Sequence, residues 1–236
     1  MGIKNYLINK LRKIIGTIDI LNALDQILKD QKRETIKDLL NNIKPGSVIQ
    51  CSLNAIEILS PIEILQTYQH CLLPLPEKKL NFSVEEHCAQ WLCSKVKYGD
   101  TVLDIGASFG VISLPLSRAV GDKGAVYAFE PAKNTQQILE KVLNLNNISN
   151  VMIVPDAISD QSGSAEFIEY NKDSDSCWAS DTSTLVSDIN IHTNTKSTTY
   201  TVKTITLDEY IAQESIKPSA IKIDIEGFEF YALQGA

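Results

Sequence analysis

Two hydrophobic spacings alternate along the second half of the chain. Short aliphatic runs, "TVLDIG", "AVYAFE" and "VMIVPDAIS", are separated by "VISLPLSRAV" and by a segment from Pro131 to about Leu145, in which apolar residues recur every three or four positions. Short aliphatic runs are typical of strands, and recurrence every three or four positions is typical of helices. Strand, helix, strand, helix, strand in this order predicts right-handed crossovers and a doubly wound, mostly parallel sheet. The predicted fold class is α/β.

The first part of the chain shows mainly the helical spacing. Apolar residues keep it through residues 24–43, "KPG" then ends the pattern, and "SPIEILQTYQHCL" predicts another helix with Ser60 as its N-cap. "SVIQCSL" predicts a short strand, and the two prolines of "LPLPEKK" indicate a linker. We therefore predict a helical N-terminal extension over residues 1–80, of unknown role, and an α/β domain over residues 81–236.

An insertion interrupts the α/β pattern before its last strand. "GSAEFIEY" and "TYTVKTITL" are β-type runs on either side of a long polar stretch. They predict a hairpin with a long loop, and loops of that length are usually functional or disordered. Thr206 follows as the predicted N-cap of a short helix, "LDEYI", and the strand "AIKIDIE" comes next.

Charge and cysteine content narrow the function classes. The chain carries 22 Lys and Arg against 29 Asp and Glu, a net charge of -7, which disfavours nucleic acid as a partner. Its five cysteines are an odd number without a CxxC pair, which disfavours a disulfide framework and a zinc site. No apolar run approaches the ~18 residues that a transmembrane helix needs. We expect a cytoplasmic protein with free thiols.

The turn after the first strand of the domain has the composition of a ligand-binding loop. In "VLDIGASFG", Gly106 and Gly110 allow a tight turn, and Asp104 lies at the carboxyl end of the strand, where open α/β sheets bind ligands. The spacing differs from the G-x-G-x-x-G of dinucleotide sites, so a nicotinamide cofactor is disfavoured. An acid at this position favours a cofactor with a cationic end. The alternative is a glycine turn that only connects a strand to a helix.

Acidic residues also end the next two strands. Glu130 is placed to accept hydrogen bonds from both hydroxyls of a ribose. Asp156 could accept from an exocyclic amine while the backbone N–H of Ala157 faces a ring nitrogen. Taken singly, Glu130 could be a helix-terminal acid and Asp156 a turn former. Together with Asp104, they put acids at three successive strand ends, which predicts one ligand site.

At this point the residues identify a family. "VLDIGASFGVISLPLS", "AVYAFEP", "VPDAISDQSGSAEF", "VKTITLDEYI" and "IKIDIEGFEFYALQGA", in this order, resemble the FkbM-type S-adenosylmethionine-dependent methyltransferases over roughly residues 80–236. The resemblance implies a Rossmann-like class I methyltransferase fold that binds S-adenosyl-L-methionine at the carboxyl ends of its strands. It also implies O-methylation of a hydroxyl on a sugar, a glycan or another small metabolite.

The resemblance assigns the cofactor-binding positions one by one. It implies that Asp104, Gly106 and Gly110 line the methionine and sulfonium side of the cofactor, that Glu130 holds the ribose, and that Asp156 with Ala157 meets the adenine.

The last strand supplies the candidate catalytic residues. In "IKIDIE" the isoleucines alternate with Lys222, Asp224 and Glu226, so the charged residues share one face. Our hypothesis is that Asp224 orients or deprotonates the acceptor hydroxyl with Glu226 beside it, and that Lys222 pairs with one of them. The alternatives are a solvated charged face and a divalent-cation site. Two carboxylates are a thin cation site, so we predict no metal.

The chain ends barely two turns into the helix that follows this strand. A strand as aliphatic as "AIKIDI" normally has neighbours on both sides. We therefore expect a C-terminally truncated domain whose further strands would follow Ala236. The competing function is a non-catalytic cofactor-binding or scaffold protein derived from a methyltransferase. The sequence does not indicate the acceptor or the oligomeric state.

Overall fold

The computed structural model describes residues 38, 40–73, 80–170, 183, 185 and 197–236. The chain divides into two compact units, Met1–Glu86 and His87–Ala236. The sequence places this boundary after residue 80, whereas the structure places it later. The reason is that Leu80–Phe82 is a strand of the first unit's sheet.

A four-stranded sheet dominates the described part of the first unit, in the order β2-β1-β4-β3. β1 (Val48–Leu53) pairs antiparallel with β2 (Ile56–Pro61) and parallel with β4 (Leu80–Phe82), which pairs antiparallel with β3 (Leu72–Leu73). Helix α1 (Ile62–Thr67) and a 3₁₀ turn, Gln69–Cys71, complete it. The predicted strand in "SVIQCSL" is confirmed, but the described residues of the predicted helical extension include four strands beside one short helix.

A two-residue turn joins β1 to β2, a strand that the sequence analysis did not predict. Asn54 and Ala55 both have positive φ, +48° and +64°, and they form a two-residue connection of the kind that matches the twist of paired strands. This hairpin carries Ser60 into β2, so Ser60 does not cap a helix, and α1 begins after Pro61. Most of the predicted linker, residues 74–79, lies outside the described residues.

The second unit is built on a parallel sheet with the strand order β11-β5-β6-β7. Its elements, in chain order, are α2 (Glu86–Lys95), β5 (Thr101–Ile105), α3 (Ser113–Val120), β6 (Ala125–Phe129), α4 (Lys133–Leu145), β7 (Val151–Val154), β8 (Ala157–Ile158), β9 (Gly163–Tyr170), β10 (Ser197–Ile205), α5 (Leu207–Glu214), β11 (Ala220–Ile223) and α6 (Glu229–Gln234). All three pairings in this sheet are parallel, which confirms the predicted mostly parallel sheet.

The predicted hairpin insertion is also confirmed. β9 pairs antiparallel with β10, and β10 pairs parallel with β8. Most of the loop between β9 and β10 lies outside the described residues. After the hairpin, Thr206 accepts a hydrogen bond from the Glu209 N–H at 3.2 Å, so this predicted N-cap holds.

The order of the strands determines where a ligand can bind. β5 lies between β6 and β11, so the chain leaves β5 for one neighbour and returns much later to the other. The carboxyl ends of strands diverge into a crevice at such a switch point. Among the described strands, β11 has a neighbour on one side only.

No helix in the described part of the chain is long and apolar enough to cross a bilayer.

Candidate active site

A cleft with about 600 Å³ of open space lies at the carboxyl ends of the parallel strands. The cleft is lined by residues that end β5, β6, β7 and β11 and by residues of the inserted hairpin: Ile105, Gly106, Ser108, Phe129, Glu130, Pro131, Asp156, Ala157, Ile158, Phe167, Ser183, Leu185, Asp224, Ile225, Glu226 and Phe228.

Gly106 joins the ends of three strands. Its φ is +79°, and a Cβ at this position would lie 1.8 Å from the carbonyl oxygen of Asp224. The N–H groups of Gly106 and Ala107 both donate to the carbonyl of Phe129, at 3.0 and 2.9 Å. A glycine is therefore required here, because the turn after β5 lies directly against the exits of β6 and β11.

Gly110 has a packing role. Its φ is +84°, and an added Cβ would lie 2.7 Å from Cδ1 of Leu139 in α4. Among the described residues it is not part of the cleft wall. This glycine lets the loop pack against α4, and the expectation that it also lines the cofactor stays a prediction.

Glu130 lies in the cleft wall with both carboxylate oxygens engaged. Oε2 accepts from the N–H of Ser108 and Oε1 from the N–H of Ala132, each at 2.8 Å. Burial raises its pKa to about 7, and the charge of Glu169 adds to this, while the two N–H groups and Lys222 oppose it. A carboxylate has about four acceptor positions, so two remain for hydroxyl donors.

Asp156 and Ala157 follow β7 and also line the cleft. Asp156 forms an ion pair with Lys203 of β10. Ala157 is buried, begins β8 and pairs with Thr204. The inserted hairpin therefore fixes this third strand exit, a contribution that the sequence alone did not indicate.

Asp104 lies behind the cleft. It is fully buried at the end of the central strand β5, and it is not among the described residues that form the wall. Its Oδ2 accepts a hydrogen bond from the Ser113 hydroxyl at 2.5 Å. Burial raises its pKa, with Lys222 and Ser113 acting in the opposite direction. Asp104 faces protein because β5 is enclosed on both faces, and its expected place on the methionine side of the cofactor stays a prediction.

Lys222 connects this buried acid to the cleft. Its ammonium group donates to the carbonyl of Gly106 at 2.8 Å and lies 3.4 Å from Oδ1 of Asp104 and 3.9 Å from Oδ2 of Asp224. Oδ1 of Asp104 accepts no hydrogen bond from the described residues, so Lys222 is its charge partner. The predicted pairing of Lys222 with a neighbouring carboxylate is confirmed for Asp224. Its contacts with Gly106 and Asp104 follow from the register of β11 against β5.

Asp224 and Glu226 both line the cleft, but they reach it differently. β11 ends at Ile223, and Asp224 follows with its side chain 53% exposed and its N–H donating to the Ile105 carbonyl at 3.0 Å. Glu226 lies in a turn with φ +54°. The strand alternation that predicted a shared face therefore ends before Glu226, and the turn brings its carboxylate to the same cleft.

Glu229 stabilises this turn. Its Oε1 accepts from the N–H groups of Ile225 and Gly227 at 2.9 and 3.3 Å. The sequence analysis did not single out this residue. Its signal is an acid in the first turn of a helix, two residues after a glycine, in "EGFE".

Residues 104–236, more than half of the chain, match the family model described as "Methyltransferase FkbM domain". The chain belongs to the FkbM methyltransferase family. The resemblance stated for the motifs of the second half is thereby confirmed, and the cofactor of this methyltransferase is S-adenosyl-L-methionine.

Similarity to individual proteins is more limited. The protein-L-isoaspartate O-methyltransferase of Fervidobacterium nodosum is 29% identical over 118 residues, 49% of this chain and 58% of that protein. The 23S rRNA (uracil(1939)-C(5))-methyltransferase of Acinetobacter baumannii is 32% identical over 77 residues, 32% of this chain and 17% of that protein. The crystal structure of a putative rRNA-methylase from Clostridium thermocellum has 28% identity and a TM-score of 0.28, over 30% of this chain and 40% of that one. The FkbM chain thus spans between about a sixth and three fifths of these relatives.

The cleft fits S-adenosyl-L-methionine chemically. Glu130 offers a buried carboxylate with unused acceptor positions, as a ribose diol requires. Ile158, Phe167 and Leu185 provide an apolar wall for a flat base. The carboxylate of Asp224 places negative charge near the strand exits, where a cationic sulfonium would be favoured. Among the described residues, no group of three or more His, Cys, Asp or Glu is placed to hold a metal ion.

Proposed function

We propose that this FkbM methyltransferase methylates a hydroxyl oxygen of a neutral sugar, a glycan or another small metabolite. The observation that carries the proposal is the carboxylate of Asp224, half exposed in the cleft wall at the switch point of the sheet. Its backbone is fixed by the hydrogen bond to Ile105 of the neighbouring strand. A base held on a strand end is positioned more rigidly than one on a free loop.

The cofactor-binding roles are proposed on the same geometry. Glu130 accepts hydrogen bonds from the ribose hydroxyls, Asp156 and Ala157 meet the adenine, and the Gly106 turn faces the methionine side. Asp104 acts indirectly, because it holds Lys222 and Ser113 behind this turn.

The chemistry requires an acceptor oxygen in line with the methyl group and a place for its proton. The cofactor supplies a methyl group bonded to a positively charged sulfur. Asp224 accepts the hydrogen of the acceptor hydroxyl, which directs an oxygen lone pair at the methyl carbon. As the carbon–oxygen bond forms and the carbon–sulfur bond breaks, the proton passes to the carboxylate. General base catalysis of this kind typically contributes about 10²–10⁴-fold.

The charge of the cleft favours a neutral acceptor. Four carboxylates line the cleft: those of Asp224 and Glu226, that of Glu130, and that of Asp156, which is paired with Lys203. An acceptor that carries a carboxylate or phosphate would be repelled by the first two. A hydroxylated acceptor would instead donate hydrogen bonds to them. Glu226 is proposed to hold a second hydroxyl of the acceptor beside Asp224.

The test is methyl transfer from isotopically labelled S-adenosyl-L-methionine to a panel of neutral sugars, isoaspartyl peptides and RNA. We expect label on hydroxyl oxygens, and Asp224→Asn to lower the rate by about 10²-fold or more with the affinity for S-adenosylhomocysteine unchanged. Asp208→Asn, an exposed acid at the start of α5, is the matched control and should keep wild-type turnover. Label found only on carboxyl groups or bases, or full turnover by Asp224→Asn, would contradict the proposal.

A further inference from the structure

The start of α4 is held by three side chains from three different strands or strand ends. The first N–H groups of a helix have no partner within the helix. Here the N–H of Ala132 donates to Glu130 at 2.8 Å, that of Lys133 to the Tyr200 hydroxyl at 3.0 Å, and that of Asn134 to Glu169 at 2.9 Å. Three successive N–H groups are thus satisfied by the ribose-site acid and by two residues of the inserted hairpin.

The two hairpin residues form one unit. The Tyr200 hydroxyl donates to Oε2 of Glu169 at 2.7 Å, across the β9–β10 ladder. Glu169 is only 4% exposed although it is ionisable. The ammonium group of Lys133 lies 4.3 Å from the centre of the Tyr200 ring, which adds a cation–π contact. A buried carboxylate needs hydrogen-bond donors, and Glu169 accepts from the Asn134 N–H and the Tyr200 hydroxyl. The hairpin therefore packs against the start of α4 at this residue.

The same hairpin reaches the cleft directly. Phe167 lines the cleft and pairs with Tyr200 in the ladder, and their ring centroids are 5.8 Å apart. The contact of Glu169 and Tyr200 with α4 therefore fixes two parts of the site at once. One part is the helix start that fixes Glu130, and the other is the hairpin face that carries Phe167.

We propose that Glu169 is a positioning residue through which the inserted hairpin holds Glu130 in its cofactor-binding position, so that docking of the hairpin and binding of the cofactor are coupled. Neither Glu169 nor Tyr200 lines the cleft among the described residues, so their effect is indirect. Coupling between two sites is reciprocal. Cofactor binding must then stabilise the docked hairpin by the same factor by which docking strengthens binding.

The first arm of the test measures affinity in the full chain. Calorimetric titration with S-adenosylhomocysteine should show about tenfold or greater weakening in Glu169→Ala, because a charge-assisted hydrogen bond at the helix start is lost. Glu169→Gln keeps an acceptor for the Asn134 N–H and should bind within about threefold of wild type. Glu166→Ala removes an exposed acid from the same strand and should bind like wild type.

The second arm measures hydrogen exchange in β9 and β10 by mass spectrometry. Saturating S-adenosylhomocysteine should slow exchange of the hairpin amides in wild type and in Glu166→Ala, and this protection should be lost in Glu169→Ala. Equal affinities of Glu169→Ala and Glu166→Ala would overturn the proposal, and so would hairpin exchange in wild type that the ligand leaves unchanged. Should Glu169→Ala not fold, Tyr200→Phe, which removes the hydroxyl that donates to Glu169 and to which the Lys133 N–H donates, replaces it in both arms. Neither arm involves an acceptor, so both are independent of the proposed O-methylation.

Discussion

Glu130 is an acid whose protonation affects the stability of the fold. Burial raises its pKa from 4.5 to about 7, despite the two backbone N–H groups that it accepts from. Because the folded-state pKa lies above the unfolded one, the folded chain binds this proton more tightly. The resulting stabilisation is fully present below about pH 4.5 and is lost as the pH rises through about 7.

Glu130→Gln should therefore reduce the pH dependence of stability. Between pH 5 and 8, the ionisation of Glu130 lowers the wild-type free energy of unfolding by roughly 2–3 kcal/mol, and the variant should lack this part of the decline. Urea denaturation of both proteins at the two pH values measures the difference. Identical declines in wild type and variant would mean that Glu130 has an ordinary pKa in the folded chain.

The close contact at Gly106 can be tested against a second glycine. Gly106→Ala would place a Cβ 1.8 Å from a backbone oxygen, whereas a Cβ at Gly99 meets no atom of the described residues within 4 Å. Both glycines have similar positive φ, +79° and +87°. Gly99→Ala should cost about 1–2 kcal/mol of unfolding free energy for backbone strain alone. Gly106→Ala should cost more, about 4 kcal/mol or above, because the strand ends must also move apart. Equal thermal denaturation midpoints for the two variants would refute the contact.

At the level of elements, β11 places the buried ammonium group of Lys222 beside Asp104 of the neighbouring strand β5. The Lys222 side chain is 9% exposed; it forms ion pairs with Asp104 and Asp224 and donates a hydrogen bond to the Gly106 carbonyl. Removing it would leave the carboxylate of Asp104 buried without a charge partner among the described residues. Removing one partner of a buried ion pair typically lowers the free energy of unfolding by about 3–5 kcal/mol, because the other charge stays buried without compensation. This loss exceeds the net contribution of the intact pair.

Lys222→Met should accordingly destabilise the chain in a pH-dependent way. We expect a loss of about 3 kcal/mol or more at pH 8 and a smaller loss at pH 4, because burial raises the pKa of Asp104 and its protonated form needs no cation. Lys217→Met, an exposed lysine just before β11, is the control and should change the unfolding free energy by no more than about 0.5 kcal/mol. A loss that is equal at both pH values would show that Lys222 stabilises the chain by packing rather than by charge.

The elements of the second unit were predictable because their signals were local. Aliphatic runs of four or five residues marked β5, β6 and β7, and Thr206 marked the start of α5. In the first unit the signals were ambiguous. The apolar spacing of β2 also suits a helix, and the turn at Asn54 and Ala55 lacks the glycine that usually marks a two-residue hairpin.

At the scale of the whole molecule, the cleft exists because distant segments converge at the switch point of the sheet. Gly106, Glu130, Asp156, Ala157, Asp224 and Glu226 were expected there, and all of them line it. Strand order, which follows from the α/β pattern, was sufficient for that prediction. The sequence could not show that Asp104 points inward, since this depends on neighbours covering both faces of β5. The contacts of Lys203 and Glu169 also escaped prediction, because they depend on how the hairpin docks.

Binding of S-adenosyl-L-methionine with its ribose on Glu130 underlies every role proposed for the cleft. Calorimetric titration of S-adenosylhomocysteine and, separately, NAD into wild type and Glu130→Ala tests it most directly. We expect micromolar binding of S-adenosylhomocysteine to wild type, weakened about tenfold or more in the variant because charge-assisted hydrogen bonds are lost, and no comparable binding of NAD. Equal affinity of the folded variant, or tighter binding of NAD, would contradict it.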